Sequence, residues 1–333
     1  MKKLINDPAN YVNEMIEGIL LAHPDQLKSV SNDLKCMVRA DTENDSKVGI
    51  MTGGGSGHLP LFLGYVGQGL LDGAAIGDVF QSPSAKQMFK VTKAINRGKG
   101  VLYLFGNYTG DVINFEMAAE MADANGIKTK TVVANDDVAS SVSGEEHKRR
   151  GIAGIVFAYK TAGACAQKGA NLEEVARIAQ KTVNNTRTMG MAMSPCVIPQ
   201  VGHPSFTIGD DEFEIGMGIH GEKGISRTKT MSANDTVTLL LDKIFADFEY
   251  KSGDEAAVLV NGLGSTPLDE LYICYRKVHQ VLAGSGINVH KVYVGEFATS
   301  MEMSGMSVSL LKLDDEIKEY LDVPCNSPFF KQI

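Results

Sequence analysis

Short apolar runs alternate with amphipathic stretches along most of this 333-residue chain, and that alternation restricts it to layered α/β architecture. Tyr11 to Ala22 reads as a helix with Val12, Met15, Ile16, Ile19 and Leu20 on one side. The polar stretch Asp41 to Lys47 leads into a short strand, Val48 to Met51, and then into a dense glycine run. Val101 to Phe105 reads as a strand, Val112 to Asn125 as a helix, Lys130 to Val133 as a strand, and Ile152 to Val183 as two helices. The polar run Asn184-Asn185-Thr186-Arg187 is the expected domain boundary, which divides the chain into residues 1–185 and 186–333. Beyond it, Gly190 to Gly218 is poor in helix signals. The alternation then resumes with Thr236 to Phe245 and Leu268 to Leu282 as helices, and Ala256 to Val260, Val289 to Val294 and Val308 to Leu311 as strands. The expected fold is thus two α/β domains, each a mixed β-sheet with helices on its faces.

Composition narrows the function. A net charge of −8 and the absence of Trp argue against a nucleic-acid surface or an anionic-membrane partner. Five cysteines, none in a C-x-x-C pair, argue against a disulfide framework or a structural zinc site and for a reducing cytosol. The opening Met1-Lys2-Lys3-Leu4-Ile5-Asn6-Asp7-Pro8 has no apolar run behind its lysines, so no secretory signal is expected there. No stretch reaches the roughly 18 apolar residues of a membrane helix.

Three constellations could carry chemistry. Gly53-Gly54-Gly55-Ser56-Gly57-His58 follows a strand, where backbone N–H groups of a loop could cradle a polar ligand. It fits neither a Rossmann fingerprint nor a Walker A loop, and Ser56 is not centred as in a nucleophile elbow. The alternative is a tight turn with an exposed His58. Asn107-Tyr108-Thr109-Gly110-Asp111 also follows a strand. Asp111 sits where a helix N-cap belongs, or it accepts a proton from a substrate hydroxyl. Gly216-Met217-Gly218-Ile219-His220-Gly221-Glu222 leaves the His220 imidazole accessible between glycines. A neutral imidazole nitrogen can attack a carbonyl carbon and form a hemiaminal; the alternative is a solvated histidine on a surface loop.

These segments, in this order and with these separations, resemble the dihydroxyacetone-binding subunit family of dihydroxyacetone kinases. The resemblance runs from Met1-Lys2-Lys3-Leu4-Ile5-Asn6-Asp7 through Gly64-Tyr65-Val66-Gly67 to Leu310-Leu311-Lys312. It implies a homodimer of two-domain subunits, with the ketose in the first domain and a histidine matching His220 bound covalently to its carbonyl. Residues matching His58 and Asp111 would act on the hydroxyl that receives phosphate. Gly54, Gly55, Ser56, Gly57, Gly106 and Asn107 would line the ketose site. The subunit carries no cofactor; a separate subunit brings a nucleotide, which a phosphotransferase-system protein rephosphorylates.

Two departures stand out. The kinase loop reads G-S-G-H-E-P, and here Leu59 replaces the Glu; the kinase strand before N-Y-T-G-D ends in Lys, and here Gly106 replaces it. Losing one preorganised donor beside the ketose can cost about 10²–10³ in rate, and Leu59 is expected to make the neighbourhood less polar. The sequence therefore favours the family's non-enzymatic member, a ketose-sensing coactivator of a dihydroxyacetone operon that works with a TetR-type transcription factor. The alternative is a phosphotransferase-dependent kinase subunit.

Overall fold

The computed structural model describes residues 2–41 and 46–333. Met1 and most of the polar stretch expected between Asp41 and Lys47 lie outside the described residues. After helix α1 (Tyr11–Ala22) come strands β1 (Leu27–Val30), β2 (Asp33–Arg39), β3 (Gly49–Ser56) and β4 (Gly73–Val79). Helix α2 (Ala85–Ile95), β5 (Val101–Gly106), α3 (Thr109–Asp123) and β6 (Thr129–Ala134) complete the first sheet, in the order β1-β2-β4-β3-β5-β6. Strands β3, β4, β5 and β6 run parallel, so their carboxyl ends share one edge.

Helices α4 (Ile155–Gln167) and α5 (Leu172–Asn184) follow, and the polar run at 184–187 turns directly from α5 into β7 (Thr186–Ser194). The second sheet adds β8 (Glu212–Ile215), β9 (Ser226–Lys229), β10 (Glu255–Gly262), β11 (Asn288–Gly295) and β12 (Ser304–Leu313), in the order β11-β10-β12-β7-β8-β9. Helices α6 (Ala233–Asp247) and α7 (Leu268–Gly284) cover its outer face, and α8 (Asp315–Leu321) follows β12. Both sheets are mixed.

Side-chain alternation explains the layering. Along β5, Val101, Tyr103 and Phe105 face α2 and α3, while Leu102 and Leu104 face α4 and α5. Along β10, Ala256, Val258 and Val260 face α6 and α7, while Ala257 and Leu259 join the same core as Leu102. Helices α4 and α5 therefore lie between the two sheets, in one core shared with both.

The glycine run is not the loop its composition suggests. Strand β3 continues through Gly53, Gly54 and Gly55 to Ser56, and the turn begins at Gly57, whose φ is +101°. Close approach is the reason for the glycines. A Cβ on Gly54 would stand 2.3 Å from the Phe62 ring, and one on Gly55 2.7 Å from the backbone nitrogen of Gln81. Gly54→Ala should destabilise the protein by about 1–3 kcal/mol through overpacking. The check is a lowered denaturant midpoint at unchanged slope.

Candidate functional site

The parallel strands of the first sheet deliver the site at their carboxyl edge, where open α/β sheets bind ligands. His58 follows β3, Phe80 follows β4, and Tyr108 and Asp111 follow β5. His220 comes from the other sheet, on the turn between β8 and β9, and it meets the first group edge-on. Its ring centroid lies 4.8 Å from that of His58, 4.6 Å from that of Tyr108 and 5.2 Å from that of Phe80. Phe80, at φ +58°, stacks on His58 with centroids 4.9 Å apart and planes 16° from parallel.

Each imidazole has one nitrogen committed. Nδ1 of His58 donates to the carbonyl of Thr299 at 2.8 Å, which leaves a lone pair on Nε2. Burial, reinforced by neighbouring His220, pushes the His58 imidazole down to about 3, so it is neutral at physiological pH. Nδ1 of His220 donates to Oε1 of Glu222 at 2.9 Å, and Oε2 of the same carboxylate accepts from the His220 backbone N–H at 2.9 Å. Burial works against the Glu222 charge, but the bond from His220 and the nearby Arg150 outweigh it and hold the carboxyl at about 2. An ionised Glu222 therefore fixes the His220 tautomer with Nε2 free as a nucleophile.

Three buried polar atoms in this group have no hydrogen-bond partner among the described residues: His58 Nε2, Asp111 Oδ1 and the Tyr108 hydroxyl. Buried polar groups are nearly always paired, so three unpaired atoms on residues that follow β3 and β5 at one sheet edge suit a small polyhydroxylated ligand. Asp111 is not a helix cap. Helix α3 begins two residues earlier, at Thr109, which places Asp111 inside the first turn. Burial pushes its carboxyl up to about 6, against a hydrogen bond from Ser82. The unfolded chain ionises Asp111 near 3.8. Between these values the folded state holds the extra proton, so stability falls as pH rises through the window. Asp111→Asn should thus stabilise the protein by about 1–3 kcal/mol at pH 7 and by almost nothing near pH 4. Urea midpoints at the two pH values read the difference.

Other residues singled out in the sequence make hydrogen bonds within the scaffold. The Ser56 hydroxyl donates to the Gly77 carbonyl at 2.8 Å. The Asn107 amide nitrogen donates to the carbonyls of His147 and Arg149 at 2.9 and 2.7 Å, which anchors the segment that carries Arg150. Leu59 and His58 line one small cavity together with Gly54, Gly55, Ser56 and Gly57, and Leu59 also borders a second cavity of about 370 Å³ with Lys3, Tyr11, Met15 and Glu302. At Gly106, a Cβ would meet the Gly151 carbonyl oxygen at 3.0 Å and the Tyr108 ring at 3.2 Å, so a side chain there requires those neighbours to shift. Glu222, Phe80 and Thr299 escaped the sequence reading. Only the His-Gly-Glu spacing pointed to any of them, since Phe80 and Thr299 are far from His58 in the chain.

The Dak1 domain model matches residues 17–329. The chain is 43% identical over 331 residues, 99% of each protein, to the PTS-dependent dihydroxyacetone kinase 2, dihydroxyacetone-binding subunit DhaK, of Listeria innocua serovar 6a. It is 38% identical over 352 residues, 98% of each, to the PEP-dependent dihydroxyacetone kinase, dihydroxyacetone-binding subunit DhaK, of Escherichia coli strain K12. Among solved structures, the dihydroxyacetone kinase operon co-activator DhaQ superposes with a TM-score of 0.88 at 33% identity, over 95% of this chain and 97% of that one. The dihydroxyacetone kinase of C. freundii superposes with a TM-score of 0.90 at 32% identity, over 98% of this chain and 59% of that one. With the family model spanning nearly the whole chain and full-length relatives at this identity, the chain belongs to the Dak1 family, as a DhaK-like protein.

Proposed function

We propose that the chain captures a short ketose, dihydroxyacetone by first choice, as a hemiaminal on Nε2 of His220. The observation that carries this reading is the tautomer lock: Glu222 holds Nδ1–H and leaves Nε2 free, on a ring packed against the His58 and Tyr108 rings. In the capture step the Nε2 lone pair forms a bond to the carbonyl carbon and the C=O π pair moves to oxygen. That oxygen takes up a proton from water, and the Nδ1 proton of the imidazolium passes along the Glu222 bond to solvent, so charge and protons balance. His58 Nε2 and Asp111 Oδ1 are then available to two hydroxyls of the ketose. Intact-protein mass under non-denaturing conditions should rise by one ketose with dihydroxyacetone and stay unchanged with glycerol, which has no carbonyl. No mass change with any short ketose would refute capture.

Captured ketose serves, in this reading, as substrate of a phosphotransferase-dependent kinase in which this chain is the homodimeric ketose-binding subunit. Support comes from the acid–base pair, His58 and Asp111, both with unpaired atoms. Two full-length relatives named above are dihydroxyacetone-binding subunits of a PTS-dependent and a PEP-dependent dihydroxyacetone kinase. The second reading, a ketose-sensing coactivator partnered by a TetR-type regulator, rests on Gly106, which supplies no cation beside the reacting hydroxyl. Under it, the chain alone leaves promoter DNA unshifted, consistent with its net charge of −8, and shifts it only with the regulator.

A further inference from the structure

His220 and the groups it faces belong to different sheets, so something must hold the β8–β9 turn in register over the first sheet. Arg150 has the necessary geometry. It lies on the segment between β6 and α4, and the guanidinium uses three nitrogens in three directions. Nε donates to Oδ2 of Asp137 at 2.8 Å, and Nη2 stands 2.7 Å from the same oxygen. Nη2 also donates to the Gly216 carbonyl at 3.1 Å. Nη1 stands 3.8 Å from Oε2 of Glu222. Asp137 follows β6 of the first sheet, whereas Gly216 and Glu222 lie on the turn that carries His220.

A second observation comes from the turn itself. A Cβ on Gly218 would fall 2.1 Å from Glu222 Oε2 and 2.4 Å from Arg150 Nη1. The backbone at residue 218 thus lies directly against the carboxylate and the guanidinium where they approach each other. Only glycine leaves room for both.

We propose that Arg150 is a positioning residue that clamps the His220 turn onto the first sheet and holds Glu222 where it fixes the His220 tautomer. The clamp runs Asp137–Arg150–Glu222–His220, and only its last member touches the ligand. Arg150 is mostly buried, with 15% of its side chain exposed, and the charged hydrogen bonds it makes are of the strong, directional kind. Losing them frees the turn. A misplacement of about 1 Å at a reacting nitrogen can cost about 10²-fold in rate.

The assignment deepens the capture reading and rests on it for the adduct arm of the test only. In the tautomer arm, ¹⁵N-resolved NMR of the His220 ring should show a single Nδ1–H form in the natural chain. Arg150→Met should show a mixture of tautomers, and Gly218→Ala should show the same mixture by pushing the carboxylate and the guanidinium apart while the arginine stays in the chain. In the adduct arm, both variants should trap dihydroxyacetone about 10²-fold more slowly. Guanidinium, added well below denaturing concentration, should restore trapping in Arg150→Met and not in Gly218→Ala. A role confined to folding would give no such rescue. Retention of the single tautomer in Arg150→Met, with trapping within about tenfold of the natural chain, would overturn the clamp. If the natural chain traps no ketose, the capture reading fails, and the tautomer arm still decides the clamp.

Discussion

With His220 replaced by alanine, native mass spectrometry should detect no dihydroxyacetone adduct, at protein and ketose concentrations that load the natural chain completely. The expectation follows from nucleophile geometry. Of the two imidazoles in the site, His58 is 1% exposed and stacked under Phe80, and its Nε2 faces the site as an acceptor. His220 stands on a turn, has one nitrogen free, and is the imidazole whose charge a carboxylate is placed to support. Removing it should leave the fold intact, because its ring packs by edge contacts and its side chain is 21% exposed. The circular dichroism spectrum and the denaturant midpoint of the variant should therefore match the natural chain. An adduct that persists, located by peptide mass on any other residue, would show that a different nucleophile carries capture.

His58→Ala should separate capture from transfer. Reconstituted with a nucleotide-bearing kinase partner and its phosphocarrier, the natural chain should form ketose phosphate. His58→Ala should reduce that rate by about 10²–10⁴-fold while adduct formation on His220 continues in comparable yield. The neutral imidazole of His58, pushed down to about 3 by burial, has its Nε2 lone pair ready to take a hydroxyl proton. The same burial makes the protonated form costly, so His58 fits a relay that passes the proton on better than a store that keeps it. Asp111, pushed up to about 6, is close enough to neutrality to exchange protons in the working range. Ketose phosphate formed at less than about a thousandth of the rate of a Lys-bearing kinase subunit, with normal adduct formation, would mean that Gly106 has disabled transfer. The coactivator reading would then replace the kinase reading. Gly106→Lys is not a simple reversal for this comparison, because its Cβ crowds the Gly151 carbonyl and the Tyr108 ring.

The fold was legible wherever burial leaves a pattern in the chain. Val101 to Phe105 is apolar throughout because β5 is covered on both faces, and α5 is marked by its polar end at Asn184 and Asn185. Strand β4 and helix α2 escaped notice. Gly73 to Val79 is rich in small residues, and a strand built from glycine and alanine carries little hydrophobic signal even when it is buried. Strand β9 is short and largely exposed, so its residues had no apolar face to show.

The glycine run illustrates a further limit. Composition says that a Cβ is unwelcome at Gly54 and Gly55, but not why. A turn would demand positive φ, whereas a strand pressed against Phe62 and Phe80 demands only that side chains be absent. The same logic applies to Gly218, where the obstacle is a carboxylate and a guanidinium. Local sequence cannot tell these causes apart, since the neighbours responsible come from elsewhere in the chain.

By itself, the sequence determined the layered α/β class, the family, and the identity of His58, Asp111 and His220 as the residues to watch, because local patterning and motif order are properties of neighbours along the chain. Only the tertiary structure decided that Asp111 lies within a helical turn and that Glu222 and Arg150 stand beside His220. Those outcomes depend on groups brought together across two sheets, at separations of up to 241 residues in the His58–Thr299 bond, and no periodicity along the chain encodes a contact of that range.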